Sequence, residues 1–174
     1  MPESKVTIGL VNPKSPSNVG SILRAAGCYG ANTILYSGQR YERAKAFYTD
    51  TKNVHQHIDT RAVDDLQQHV PEGATVVAIE LIEGAKPLIH FNHPANAFYL
   101  FGPEDGSLTQ QQLSWCDEVV YIPTKGCMNL AATVNVVLYD RMAKSDSVEM
   151  GDELIRRSRD TNNRATVSHN KNKQ

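Results

Sequence analysis

The stretch from Glu118 to Asp140 restricts the possible folds of this 174-residue chain more than any other part of it. Val119–Ile122 is a short apolar run, Pro123 stops it, Gly126 loosens the loop beyond, and a long apolar segment follows from Asn129 to about Lys144. Strand, loop and helix in that order belong to a parallel α/β unit, and ligands of such sheets bind outside the carboxyl ends of the strands. A helix beginning near Asn129 brings unpaired backbone N–H groups to that same place. Asn18–Arg24 and Gly102–Gly106 hold equivalent strand-end positions, so the three loops are predicted to meet in one site.

The rest of the chain repeats the alternation. Apolar runs at Val6–Val11, Asn32–Tyr36, Val54–Ile58, Thr75–Ile79 and Asn96–Phe101 read as further strands. Between them, Val19, Ile22, Leu23 and Ala26 fall at helical spacing behind a cap at Ser17 or Asn18, and Tyr41 to about Tyr48 is weakly helical. Ala62–His69 reads as an amphipathic helix, and Thr109 caps another that runs through Trp115. The predicted fold is α/β: a mostly parallel six-stranded sheet with helices on both faces. Residues 1–144 form the domain. Residues 145–174 read as a polar, mobile tail with a short helical piece at Met150–Arg157.

A hydrophobic content of 40% and a charged content of 21% suit a soluble globular domain. The net charge of −1 conceals an uneven distribution, because from Arg156 onward Arg156, Arg157, Arg159, Arg164, Lys171 and Lys173 face only Asp160. Such a tail either meets RNA phosphates or is simply solvated. Cys28, Cys116 and Cys127 lack CxxC spacing, and no apolar run has the length of a membrane span, so a reducing cytoplasm is expected. His55 and His57 lack a third ligand at convincing spacing, and no metal site is predicted. Dinucleotide, P-loop, zincin and serine-hydrolase motifs are missing as well.

At about 100° per residue, Gly20, Arg24 and Gly27 project from one face of the first helix. Either something approaches that lowered surface closely, or Arg24 lies on a helix packed tightly against its neighbour. Glu104 is either at the mouth of the site or an exposed turn carboxylate.

Three ordered segments carry more than their chemistry: Asn18 to Ala26 with Gly20 and Arg24, Leu100 to Gly106 with Gly102 and Glu104, and Ile122-Pro123 followed by Met128, Asn129 and Leu130. Together they resemble the motifs of the TrmH-like branch of the SPOUT RNA methyltransferases, over Val6 to about Lys144. The compact length is closest to the minimal members of the tRNA wobble-position type. The resemblance implies a C-terminal trefoil knot, S-adenosylmethionine as cofactor, 2′-O-methylation of a ribose in RNA (tRNA before rRNA) and a homodimer. It implies catalytic roles for Arg24, Glu104 and Asn129, with Asn18 and Gly20 supporting the RNA-facing motif. Glu80, Gly102, Ile122, Cys127, Met128 and Leu130 would hold the cofactor, largely through backbone groups. Cys127 stands where the family carries serine, and a thiol is the weaker donor. That departure leaves a non-catalytic RNA- or cofactor-binding module as the alternative.

Overall fold

The computed structural model describes residues 4–45 and 58–167. Seven strands form one sheet: β1 (Lys5–Leu10), β2 (Thr33–Tyr36), β3 (Asp59–Ala62), β4 (Thr75–Ile79), β5 (Lys86–Pro87), β6 (Asn96–Phe101) and β7 (Glu118–Tyr121). Their order is β3-β2-β1-β6-β4-β7-β5, and every pairing is parallel. The helices are α1 (Pro16–Tyr29), α2 (Arg40–Lys45), α3 (Gln110–Leu113), α4 (Leu130–Ala143) and α5 (Asp152–Ser158). All carboxyl ends therefore lie along one edge, which places the loops after β1, β4, β6 and β7 side by side.

Both faces of the sheet are covered, as continuous apolar strands require. On one face Ile8, Leu10, Val77, Tyr99 and Phe101 pack with Val19, Ile22 and Leu23 of α1 and Val134, Val137 and Leu138 of α4. Residues of opposite parity, Val76, Ala78, Phe98 and Leu100, face the other side with Leu66 and Leu108, where Leu113 and Trp115 pack against them. A polar brace ties the end of α4 to the sheet. Arg141 donates to Tyr99 Oη at 3.0 Å and to Pro94 O at 2.6 Å, while His93 bridges Tyr99 Oη and Asp140. Burial pushes the His93 imidazole below its ordinary pKa, although Asp140 pulls the other way.

Several expectations need correction. The sheet has seven strands, not six; β5 is two residues long and contains Pro87, too short to show a period. The third strand is Asp59–Ala62, whereas the expected Val54–Ile58 lies, except for Ile58, outside the described residues, as do His55 and His57. β3 is an exposed edge strand of charged and polar residues, so hydrophobicity could not reveal it. No helix spans Ala62–His69: only a 3₁₀ turn at Gln67–His69 forms, because Asp65 turns the local chain by accepting from Gln67 N at 2.9 Å. α1 is capped by Ser15, not Ser17 or Asn18, with Pro16 opening its first turn. The helix behind Thr109 has its capping box with Gln112 but ends at Leu113.

The chain divides at Lys144 and Ser145 into two compact units. The second contains α5, close to the predicted helical piece, with Arg157 paired to Glu149 at 2.7 Å. Among the described residues no helix is long and apolar enough to cross a membrane.

Gly9, in central β1, is held small by contact. A Cβ there would lie 2.6 Å from the fully buried Phe98 ring. Gly9→Ala should therefore destabilise the fold by about 1–3 kcal/mol through overpacking, read as a lower urea midpoint at unchanged slope; an unshifted midpoint would show that the core yields freely.

Candidate functional site

The three predicted loops converge on one chain of hydrogen bonds. The Glu104 carboxylate, in the loop after β6, accepts from Lys14 N at 2.9 Å and Ser15 N at 3.0 Å, in the loop after β1. It also accepts from Asn18 Nδ2 at 3.3 Å. The Asn18 carbonyl oxygen in turn accepts from Asn129 Nδ2 at 3.0 Å. Asn129 closes the chain by capping α4, its Oδ1 accepting from Ala131 N and Ala132 N. Three segments far apart in sequence are thus joined through three side chains.

Glu104 is half-buried. Desolvation pushes its carboxyl up, but the N–H groups of Ser15, Glu104 itself and Lys14, with the Asn18 amide, together hold it below the usual carboxylate range. Its oxygens are committed to donors within the chain, so the side chain fastens one loop to another. A second fastener was not legible in the sequence. Arg40 of α2 pairs in bidentate fashion with Asp105, at 2.7 and 3.0 Å, and donates to Asn12 O at 2.7 Å. The Arg40–Asp105 pair spans 65 positions, and no local pattern announces it.

Beside this chain an open cleft of about 250 Å³ runs along the carboxyl ends of β4, β6 and β7. Of the expected cofactor residues, Glu80, Gly102, Ile122, Cys127, Met128 and Leu130 all line it, as does Glu104. Ile79, Leu81, Phe101, Ile122 and Leu130 offer apolar wall, while Glu80 and Glu104 are its only charged lining residues. Such a lining suits a flat apolar ring and a neutral or cationic ligand, and disfavours phosphates.

Asn18, Gly20, Arg24 and Asn129 do not line the cleft. Arg24 is exposed on α1 and makes no hydrogen bond or ion pair among the described residues. Neither alternative for the Gly20–Arg24–Gly27 face is met by close packing among the described residues: a Cβ at Gly20 would meet nothing within 4 Å, and one at Gly27 would meet only Ile58 Cδ1 at 3.9 Å. Among the described residues no group of three or more His, Cys, Asp or Glu could hold a metal ion.

The Glu104 fastener has a pH signature. A carboxyl whose pKa is lowered by folding contributes stability that is full above its ordinary value and fades as pH falls through the lowered one. Melting temperature followed from about pH 7 down to about pH 3 should fall more for the wild type than for Glu104→Gln. Parallel curves would mean that these hydrogen bonds do not hold the loops in solution.

The sequence model of the SpoU rRNA Methylase family matches residues 5–139. A tRNA (guanosine(18)-2′-O)-methyltransferase of Escherichia coli K12 is 21% identical over 151 residues, 83% of this chain and 66% of that protein. A tRNA (cytidine-2′-O-)-methyltransferase, TrmJ, of Methanocaldococcus jannaschii is 27% identical over 158 residues, 80% of this chain and 68% of the relative. Among solved structures, an rRNA methyltransferase from Sinorhizobium meliloti superimposes with a TM-score of 0.69 at 20% identity, over 83% of this chain but 58% of that one. A structure solved for 2-OH methylation of C/U34 on tRNA gives 0.66 at 22% identity, over 83% of this chain and 92% of its own. The chain thus spans just under two thirds of the Escherichia coli relative and rather less of the Sinorhizobium structure. At these identities the superpositions establish the fold, and the match of the family model establishes the lineage. The protein belongs to the SpoU rRNA methylase family.

Proposed function

We propose that the protein is an S-adenosylmethionine-dependent RNA methyltransferase that modifies a ribose 2′-hydroxyl. The observation that carries this reading is the Glu104–Asn18–Asn129 chain bordering an acid-lined, cation-free cleft, in a chain of this family. The cleft fits the cofactor on its own terms: apolar wall for adenine, backbone at Gly102 unobstructed by a side chain, and carboxylates rather than lysines near a positively charged ligand. When bound, S-adenosylmethionine supplies an electrophilic methyl group and needs only positioning and electrostatics from the protein.

The protein's own residues divide that work. Glu104 and Asn18 hold the loops after β1 and β6 together, and Asn129 fixes the start of α4 against them. An alcohol is a poor nucleophile until its proton leaves or its oxyanion is stabilised. A guanidinium carries a delocalised positive charge, so Arg24 serves best as a stabiliser of that developing charge or of a neighbouring phosphate. Its exposure and lack of a partner among the described residues fit a group that waits for substrate. Cys127 lines the cleft in place of the motif serine.

Val136 and Tyr139 of α4, exposed by 37% and 56%, support a homodimer that buries these apolar surfaces and leaves Arg24 open to substrate. The trefoil knot implied by the family resemblance belongs to the same proposal. The substrate is proposed to be tRNA: both relatives described above are named for tRNA, and the chain covers most of a structure solved for modification of position 34. The basic tail would add phosphate contacts, and the proposed compartment is the cytoplasm.

Incubation with radiolabelled S-adenosylmethionine and RNA from cells lacking the gene should place label in a 2′-O-methyl nucleoside of the tRNA fraction. Cofactor binding without any label would favour the non-catalytic reading, to which Cys127 is the pointer. Arg24→Ala should abolish transfer and leave cofactor affinity within about twofold, as expected of a residue outside the cleft; matched loss of both would remove it from the chemistry. Removing residues 145–174 should leave the melting temperature of the domain unchanged and weaken RNA binding with a shallower salt dependence. An unaltered salt slope would assign the tail no phosphate contacts.

A further inference from the structure

Glu80 is the one charged lining residue of the cleft that the loop-fastening chain leaves unused. Its backbone N–H donates to Val120 O at 3.0 Å, pinning the end of β4 to β7. Its side chain is held just as firmly: Oε2 accepts from Leu108 N at 2.9 Å and Oε1 from Leu81 N at 3.1 Å. Gly102 makes room for this arrangement, since a Cβ there would lie 3.2 Å from Leu108 N and 3.4 Å from Glu80 Oε2. No cation pairs with the carboxylate among the described residues. A carboxylate has about four lone-pair sites, and only two are taken here, one on each oxygen. What remains is a pair of adjacent acceptors, fixed in one plane, at the wall of a nucleoside-sized cleft.

We infer that the Glu80 side chain is the receptor for the ribose 2′,3′-diol of the cofactor, and so the residue that makes the cleft select an unphosphorylated ribonucleoside. This rests on the reading of the cleft as the S-adenosylmethionine site. Two neighbouring hydroxyls present two O–H donors side by side, which is the complement of one carboxylate with a free lone pair on each oxygen. An adenine amino group does not match as well, because the ring nitrogen beside it would meet the carboxylate acceptor to acceptor. A 2′- or 3′-phosphate would bring like charges together in a partly desolvated place and be rejected. The fixed orientation matters as much as the charge, since a pre-positioned acceptor loses little freedom on binding. Glu80 thus does more than lend its backbone: its side chain reads the sugar.

Titration calorimetry separates this from the alternatives. S-adenosylhomocysteine and its 2′,3′-dideoxyadenosyl analogue would be titrated into the wild type and into Glu80→Gln. The wild type should bind the ribose ligand about tenfold more tightly than the deoxy one, the scale of a hydrogen bond to a charged group. Glu80→Gln should weaken the ribose ligand by a similar factor and the deoxy ligand by less than about twofold, closing the gap. Equal wild-type affinity for the two ligands overturns the inference and leaves the cofactor site intact. Equal weakening of both by Glu80→Gln also overturns it and reduces Glu80 to an anchor for Leu108. If the wild type binds neither S-adenosylhomocysteine nor S-adenosylmethionine, the cofactor reading fails first, and the assignment of Glu80 falls with it. Should Glu80→Gln fail to fold, Glu80→Asp takes its place: it keeps the charge but draws the carboxylate back, and should narrow the gap between the two ligands, an unchanged gap overturning the inference.

Discussion

Everything near the cleft depends on a carboxylate that binds backbone instead of ligand. Glu104 gathers N–H groups of Lys14 and Ser15 that the start of α1 would otherwise leave to water, and the Asn18 amide completes the set. A charged acceptor in that position is worth roughly twice a neutral one, and here it joins segments about ninety residues apart. Without it the loops after β1 and β6 would lose their direct tie and keep the bridge that Arg40 makes between Asn12 O and Asp105. With it, Asn18 is aimed at Asn129, and the first turn of α4 is registered against α1. Arg40 and Asp105 repeat the device on the outer side, so the loop after β6 is held at two successive residues.

This division between fasteners and reading groups accounts for the electrostatics. Donors from Ser15, Lys14 and Asn18 hold the Glu104 carboxyl below the usual carboxylate range, and Glu80, at the cleft wall, accepts one hydrogen bond on each oxygen. The cations stand elsewhere, with Arg24 exposed on α1 and none in the lining. The proposed cationic cofactor and polyanionic substrate would thereby meet groups of opposite sign, in keeping with chemistry in which the two must meet without competing for one site.

Much of this could be read from the residues. β1, β4, β6, β7, α1 and α4 have long apolar runs or helical spacing, and their positions follow from the pattern alone. The motif loops were recognisable because each holds several unusual residues together: glycines, an arginine, an asparagine before an apolar helix. β3 and β5 escaped because one is an exposed edge strand carrying charge and the other a two-residue pairing that only β7 makes possible. The turn at Gln67–His69 escaped because a single aspartate side chain outcompetes the helix that the periodicity suggested. Within the site, Arg40 and the side-chain role of Glu80 were illegible for a different reason. Their partners, Asp105 and Leu108, lie 65 and 28 positions away, and nothing about an isolated arginine or glutamate records such a distance.

Asn129 serves two masters, and this has a consequence for how the family can vary. One end of its amide terminates α4 and the other holds Asn18, so no substitution can alter its behaviour toward a ligand without also loosening a helix start and a loop. Aspartate would keep the cap but present an acceptor to the acceptor of Asn18; serine would keep the cap and lose reach. A change at Asn129 therefore disturbs the start of α4 and the Asn18 loop together. Cys127 contrasts with it: exposed in the cleft lining and without a side-chain hydrogen bond among the described residues, it can change without pulling on such a network.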